Sequence, residues 1–266
     1  MSTAEQSFKA GDLSQALASL QSEVKQRPAD VKLRVFLAQL LMIQGQWERA
    51  LNQLKVVEEL DAGTLPMVRT YQTTIQCERF RADVFNGKRS PLLFGDPEPW
   101  TALLIQALTV QVSQAEDLRA QAFELAPETS GTLNGERFAW IADADTRLGP
   151  VFEVLLNGSY YWVPIHRIAR VAIETPQDAR DLVWLPAQFT WVNGGEALGF
   201  IPTRYPSSEA SDDPMIQLAR KTVWQQLGEA TYVGQGQRLL ATDVNENGLL
   251  DVRELIFDTP VSAAAE

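Results

Sequence analysis

The amino-acid sequence repeats itself at an offset of 34 residues, and that period constrains the fold of its first half more than any other feature. Gly11-Asp12-Leu13 aligns with Gly45-Gln46-Trp47, and Ala16, Leu17 and Leu20 align with Ala50, Leu51 and Leu54. A glycine that ends one helix, followed by Ala and Leu at helical spacing, describes a helix-turn-helix unit that buries its apolar stripe only by stacking on its neighbours. Between the glycines, Arg34, Leu37, Ala38 and Leu41 complete the register of a tetratricopeptide-like arrangement. Pro28 with Asp30, and Asp61 with Gly63, bound the second unit. A third begins near Leu65, carries Val68, Tyr71, Gln72 and Ile75, and runs to Phe85 without a matching glycine turn. Trp100–Ala126 reads as one or two further helices that cap the stack.

After Pro127 the pattern changes to strands, and five of the seven tryptophans lie beyond that point. Phe138–Ala142, Val151–Leu156, Ser159–Pro164, Ala169–Glu174, Leu182–Leu185, Ala187–Val192 and Ala197–Pro202 carry strand composition. Asn157-Gly158 and Asn193-Gly194-Gly195 supply turns. A helix is expected from Asp213-Pro214 to Gly228, on Ile216, Ala219, Val223 and Leu227, although Thr222-Val223-Trp224 also fits a strand. Tyr232–Thr242 and Leu249–Phe257 close the sheet, and Pro260–Glu266 reads as a frayed tail. The expected fold is therefore α+β: a helical tetratricopeptide-like repeat domain over residues 1–127, and a mostly antiparallel β-rich domain with one helix over residues 128–266.

Charge and composition exclude several functions. The 266 residues include 23 basic and 34 acidic side chains, a net −11, and the sheet half from Glu136 onward carries −8 of it. Such a charge disfavours general binding to nucleic acid or anionic membrane, while leaving room for a local basic patch. Met1–Ala10 lacks an apolar core of signal-peptide length, and Ala102–Val112 is interrupted by Gln106 and Gln111, so neither export nor membrane spanning is expected. Cys77 is the single cysteine, which rules out an internal disulfide and a cysteine zinc site, and a reducing cytoplasm is the expected compartment.

Catalytic patterns are sparse. His166 is the single histidine, it has no Gly-x-Ser-x-Gly elbow beside it, and a structural place just after a strand is its expected role. Cys77 is expected to pack in a helix. No phosphate-binding glycine loop occurs, and Asp143 with Asp145 and Asp212 with Asp213 are read as turn and cap residues. Tyr160, Tyr161, Trp162, Trp184, Phe189 and Trp191 are read as packing residues. Asp243 to Glu254 does satisfy the EF-hand calcium-loop template, with Asp243, Asn245, Asn247, Leu249, Asp251 and Glu254 at the ligating positions. The glycines Gly234 and Gly236 spoil the entering helix, and a hairpin turning at Asn247-Gly248 accounts for the same residues. No cofactor, catalytic residue or resident metal is expected.

Several ordered features carry a family resemblance: Phe8-Lys9-Ala10-Gly11-Asp12-Leu13, Pro150-Val151-Phe152-Glu153-Val154, Tyr161-Trp162-Val163-Pro164, Phe200-Ile201-Pro202-Thr203-Arg204-Tyr205 and Leu250-Asp251-Val252-Arg253-Glu254. On these the chain resembles the ImpE/TagJ (SciE-type) family of accessory proteins from bacterial type VI secretion systems. The resemblance implies a non-catalytic role: binding the N-terminal helix of the small contractile-sheath subunit, with an indirect link to the sheath-disassembly ATPase. Stacked helix pairs form a concave surface suited to a helix or extended peptide. In repeat register, Val35, Gln39 and Met42 turn toward that surface and Arg69 and Thr73 extend it, which makes these five the expected partner-binding residues. The competing expectation is that Val35 and Met42 pack the domain while Gln39, Arg69 and Thr73 are solvated.

Overall fold

The computed structural model describes residues 2–258, so the tail expected at Pro260–Glu266 lies outside the described residues. The helical half runs α1 (Thr3–Ala10), α2 (Leu13–Gln26), α3 (Val31–Ile43), α4 (Trp47–Leu60) and α5 (Leu65–Phe85), followed by a short strand, β1 (Leu92–Leu93), and the pair α6 (Pro99–Ala107) and α7 (Val112–Leu125). The 34-residue period has a direct structural cause. Gly11 and Gly45 both adopt left-handed backbone, with φ of 87° and 65°. Past each of them the next N–H bonds five residues back, Asp12 to the Ser7 carbonyl and Gln46 to the Leu41 carbonyl. Each turn thus closes one helix with a Schellman motif and starts the next. Asp12 and Asp30 cap α2 and α3 through their carboxylates.

The third unit has no second helix. α5 packs instead against the sheet: Phe85 lies 6.1 Å from Trp162 and Phe80 lies 6.1 Å from Tyr160, centroid to centroid. A single apolar core therefore spans both halves, joining Leu20, Leu41, Leu54 and Ile75 to Val151, Leu155, Trp162 and Trp184. Trp100, Leu104 and Ala122, from α6 and α7, belong to it as well.

The remaining strands are β2 (Gly131–Leu133), β3 (Glu136–Phe138), β4 (Ile141–Asp143), β5 (Val151–Leu156), β6 (Ser159–Pro164), β7 (Ile168–Ile173), β8 (Trp184–Trp191), β9 (Glu196–Pro202), β10 (Thr222–Gln226), β11 (Tyr232–Gly236), β12 (Leu239–Thr242), β13 (Glu246–Gly248) and β14 (Glu254–Phe257), with α8 (Pro214–Gln217) before β10. Eight of them, with β1, form one sheet in the order β1-β6-β5-β9-β8-β7-β14-β2-β3, antiparallel except where β1 runs along β6. β13-β12-β4 and β10-β11 make two smaller sheets. Asn157-Gly158 turns β5 into β6 with both residues left-handed, as the two-residue hairpin requires.

Several sequence expectations change: the strand expected over Leu249–Phe257 keeps only Glu254–Phe257 after a 3-10 turn, and Phe138–Ala142 is split between β3 and β4. The helix expected up to Gly228 is one turn, α8, because Ala219 takes a left-handed φ of 54° and reverses the chain. Thr222–Gln226 then pairs with β11, where a β-branched and aromatic run is best accommodated. The strand expected over Tyr232–Thr242 breaks at Gln237-Arg238, between β11 and β12, where Arg238 turns into the interior. The two strands expected around Pro186 are one. Pairing of β8 with β7 starts at Ala187, so the missing N–H of Pro186 leaves no ladder bond unmade on that side.

Between the halves lies a buried ion cluster. Arg81 of α5 grips Glu153 of β5 with two bonds, 2.6 and 2.9 Å, and donates to the Arg204 carbonyl at 2.9 Å and to Glu78 at 2.8 Å. Arg238 bonds the other side of Glu153 and also Asp143. Tyr160 donates its hydroxyl to Glu153 and accepts from the Trp162 indole at 2.7 Å. Burial alone pushes the Glu153 carboxyl upward, but Arg81 and Arg238 outweigh it and hold the group down at about 2. The Glu153 contribution to stability is accordingly complete above the ordinary carboxyl range and is lost as pH falls toward 2.

Removing one partner of such a cluster strands a buried charge. Arg81→Met is expected to destabilise the protein by about 3–5 kcal/mol at neutral pH. The deficit against wild type should shrink below about pH 4, where protonation relieves the abandoned Glu153 of the variant. Urea unfolding of both proteins across that range reads it.

Candidate partner-docking site

The concave side of the repeats is partly filled by the chain itself. Residues 175–182, which lead into β8, cross it, and Ala179 and Leu182 pack against the helical core. Arg180 lies over the rings of Tyr71 and Phe200, 5.6 Å from each centroid, and is held by Asp181 at 2.8 Å. Asp181 also accepts the N–H groups of Gln177 and Asp178, so the segment is pinned rather than loosely laid. Nothing in the composition of residues 175–182 signals this position, because only the sheet topology brings them there.

What stays open is a cleft of about 830 Å³ at the N-terminal end of the concave side, between α1, α2, α3 and residues 177–179. Its floor is apolar: Phe8 and Phe36 meet edge to face at 5.7 Å, with Val35 and Leu33 beside them. Its rim carries both signs, with Lys9, Lys32 and Arg27 set among Glu5, Glu23, Asp30 and Asp178. Arg27 is held by Glu23 and Asp30. An apolar floor with a mixed polar rim suits an amphipathic segment.

The five expected partner residues separate. Val35 and Gln39 line this cleft, Val35 half-buried and Gln39 buried, its amide donating to the Tyr71 hydroxyl at 3.2 Å. Arg69 and Thr73 line a different hollow of about 370 Å³ between α5 and the sheet, next to Asn157 and Gly158. Met42 is removed from any surface: it is fully enclosed in the shared core, because the last turn of α3 is covered on every side by apolar neighbours. Phe36 is not singled out in the sequence and Phe8 only as the start of a family-resembling run, because their spacing of 28 residues follows no helical or repeat period.

The chemical candidates take structural places. His166 follows β6 in a short 3-10 turn; Glu98 at 3.1 Å and the Trp100 ring at 6.3 Å hold it. Burial lowers its pKa, with Glu98 opposing. The Cys77 thiol is buried on α5, 3.3 Å from the Gly158 carbonyl, and burial pushes it up to about 11, away from thiolate chemistry.

The calcium template is pulled apart. Asp243 accepts the Ala139 N–H at 2.7 Å, Asn247 pairs with Leu240 inside β13, Leu249 is buried, and Glu254 sits in β14 bonded to Arg170 at 2.7 Å. The hairpin turn falls at 243–245, not at Asn247-Gly248, because Thr242 gathers the turn by accepting the N–H groups of Val244 and Asn245. Among the described residues no group of three or more His, Cys, Asp or Glu side chains is placed to hold a metal ion.

Comparison with known proteins agrees with this architecture. A family model described as ImpE protein matches residues 135–256, and a tetratricopeptide-repeat model matches residues 7–73. The type VI secretion system accessory component TagJ of Pseudomonas aeruginosa is 48% identical over 259 residues, covering 96% of this chain and 91% of that protein. The X-ray crystal structure of protein VPA1032 from Vibrio parahaemolyticus superposes with a TM-score of 0.86 at 28% identity, covering 96% of this chain and 97% of that one.

Two predictions follow from the placement of these residues. Met42→Glu should cost about 3 kcal/mol or more by burying a carboxylate without a partner, whereas exposed Arg69→Glu should leave the thermal midpoint within a degree or two of wild type, as thermal unfolding will show. Calcium and EDTA should give the same midpoint, and Glu254→Ala, which breaks only a surface ion pair, should cost less than about 1 kcal/mol.

Proposed function

This chain belongs to the ImpE/TagJ family of type VI secretion accessory proteins, and from that premise we propose that it is a non-catalytic cytoplasmic adaptor that captures the N-terminal helix of the small contractile-sheath subunit. Through that contact it affects sheath assembly or recycling, with any link to the sheath-disassembly ATPase indirect. The observation that carries the reading is the open cleft over α1–α3. Its apolar floor of Phe8, Val35 and Phe36 lies within a helical-repeat scaffold. Gln39 at its inner end is the residue of that floor with a hydrogen-bonding group, already turned to Tyr71.

An amphipathic helix lays one apolar stripe on such a floor and leaves its charged sides to a rim of mixed sign. The pinned segment 175–182 closes one end of the cleft, so the bound helix is short, about two to three turns, rather than a long superhelical ligand. No described helix is long and apolar enough to cross a membrane, and the protein works without one in this reading.

Titration calorimetry of the intact chain with a peptide matching the first helix of the small sheath subunit tests the proposal. Saturable binding that weakens about tenfold or more in Val35→Asp, with helical circular dichroism retained, is the expected result. Absence of binding to both the peptide and the intact sheath subunit overturns it.

A further inference from the structure

The sheet edges of this protein are short or closed, with one exception. The outer strands β1, β3, β4 and β13 have two or three residues each, too few to template a further strand. β10 and β11 instead form a separate two-stranded sheet with five residues on each side. Across it the Gln237 N–H donates to the Lys221 carbonyl at 3.1 Å and the Leu227 N–H to the Thr231 carbonyl at 2.9 Å. By the alternation of an antiparallel ladder, Val223 and Gln225 then bond inward to β11, and Thr222, Trp224 and Gln226 turn their N–H and C=O groups outward.

The two edges of this hairpin differ. On β11 the outward N–H groups of Tyr232, Gly234 and Gly236 are taken by the Thr146 hydroxyl at 3.1 Å, the Asp145 carboxylate at 3.0 Å and the Ser208 hydroxyl at 2.8 Å. On β10 the outward backbone groups of Thr222, Trp224 and Gln226 have no partner among the described residues. Trp224, Gln225 and Gln226 are exposed. The usual guards of an open edge are missing: Thr222-Val223-Trp224-Gln225-Gln226-Leu227-Gly228 holds no charge and no proline, and its register with β11 has no bulge. A chain of net charge −11 thus keeps an uncharged strip along an open strand.

We infer that β10 docks a second copy of this chain, strand against strand and antiparallel, about a two-fold axis at Trp224. A two-fold contact has to be self-complementary, and this edge is: with the two Trp224 residues opposed, Thr222 stands opposite Gln226 and every outward residue meets an outward one. Three residue pairs then exchange two backbone hydrogen bonds each. The two indoles meet on the face where the Tyr205 ring already lies 5.4 Å from Trp224. Charges lie past the strand ends. Arg220, bonded to the Lys9 carbonyl at 3.0 Å, and Lys221, paired with Asp213 at 3.1 Å, precede the strand. Glu229 and Glu116, with buried Arg119 beneath them, form the hairpin tip. Antiparallel pairing sets each acidic tip beside the Arg220 and Lys221 end of the other copy, whereas a parallel neighbour would set tip on tip. Five-residue strands bury less than a standard interface, so the dimer is reversible. No residue of β10 lines the α1–α3 cleft, and self-pairing is a contact separate from capture there.

Sedimentation velocity of the intact chain over about 1 to 200 µM is expected to show a reversible monomer–dimer equilibrium. Gln226→Pro removes one outward N–H and no bond to β11, and Trp224→Lys opposes two like charges at the axis. Each should weaken the dimer about tenfold or more with its circular dichroism retained. Trp224→Glu alone should behave as Trp224→Lys does. An equimolar mixture of those two should associate at least about tenfold more tightly than either alone, because lysine then faces glutamate across the axis. A monomer throughout the range, an undiminished dimer in either folded variant, or a mixture no tighter than its components overturns the inference.

Discussion

The two halves of the protein are held in one relation by the carboxylate of Glu153. It sits at the centre of β5, an entirely buried strand, and receives Arg81 from the helical half, Arg238 from the break between β11 and β12, and the hydroxyl of Tyr160 from β6. Charges so deep are tolerated only when every donor and acceptor is used, and among the described residues no buried side-chain nitrogen or oxygen lacks a partner. Arg81 also reaches the Arg204 carbonyl, and Arg204 in turn donates to the carbonyls of Ile43 and Gln217. One polar chain thus fixes α5, the end of α3 and the sheet against one another. The shared apolar core supplies burial energy without direction; this cluster supplies the direction.

That fixed relation decides what the repeats can offer. A tetratricopeptide-like stack presents a continuous concave side, yet here residues 175–182 lie across it, and α5, which has no second helix of its own unit, is roofed by β6. The free part of the groove is confined to α1–α3, and the far side of α5 becomes the wall of a separate hollow facing the sheet. The repeats thus leave open a single cleft, over α1–α3, whose rim carries both signs of charge. The histidine is held by Glu98 and the Trp100 ring, and the cysteine thiol is buried on α5 against the Gly158 carbonyl.

Local features of the sequence were enough to place much of this. The glycine turns at Gly11 and Gly45, the capping aspartates, the Asn157-Gly158 hairpin and the strand composition of β5 to β9 each depend on residues within a few positions of one another. The helix expected to Gly228 failed for a reason of the same scale: Ile216, Ala219, Val223 and Leu227 match a helical period, but a left-handed Ala219 separates them and β11 is available to pair. The EF-hand template failed because ligation needs convergence, and Asp243 and Glu254 are committed to different strands. One long-range feature did leave a trace. Glu153 is a lone acid in the apolar run Val-Phe-Glu-Val-Leu-Leu, a pattern that calls for a buried cation without saying which.

By itself, then, the sequence determined the α+β division, the repeat register and the turns, because period, capping and turn chemistry act over short distances along the chain. Which cations find Glu153, which stretch of the sheet half crosses the concave side, and why Met42 is enclosed while Arg69 is free were decided only by the tertiary structure. These properties join residues tens to more than a hundred positions apart, and only the packing of α5 on the sheet brings them together.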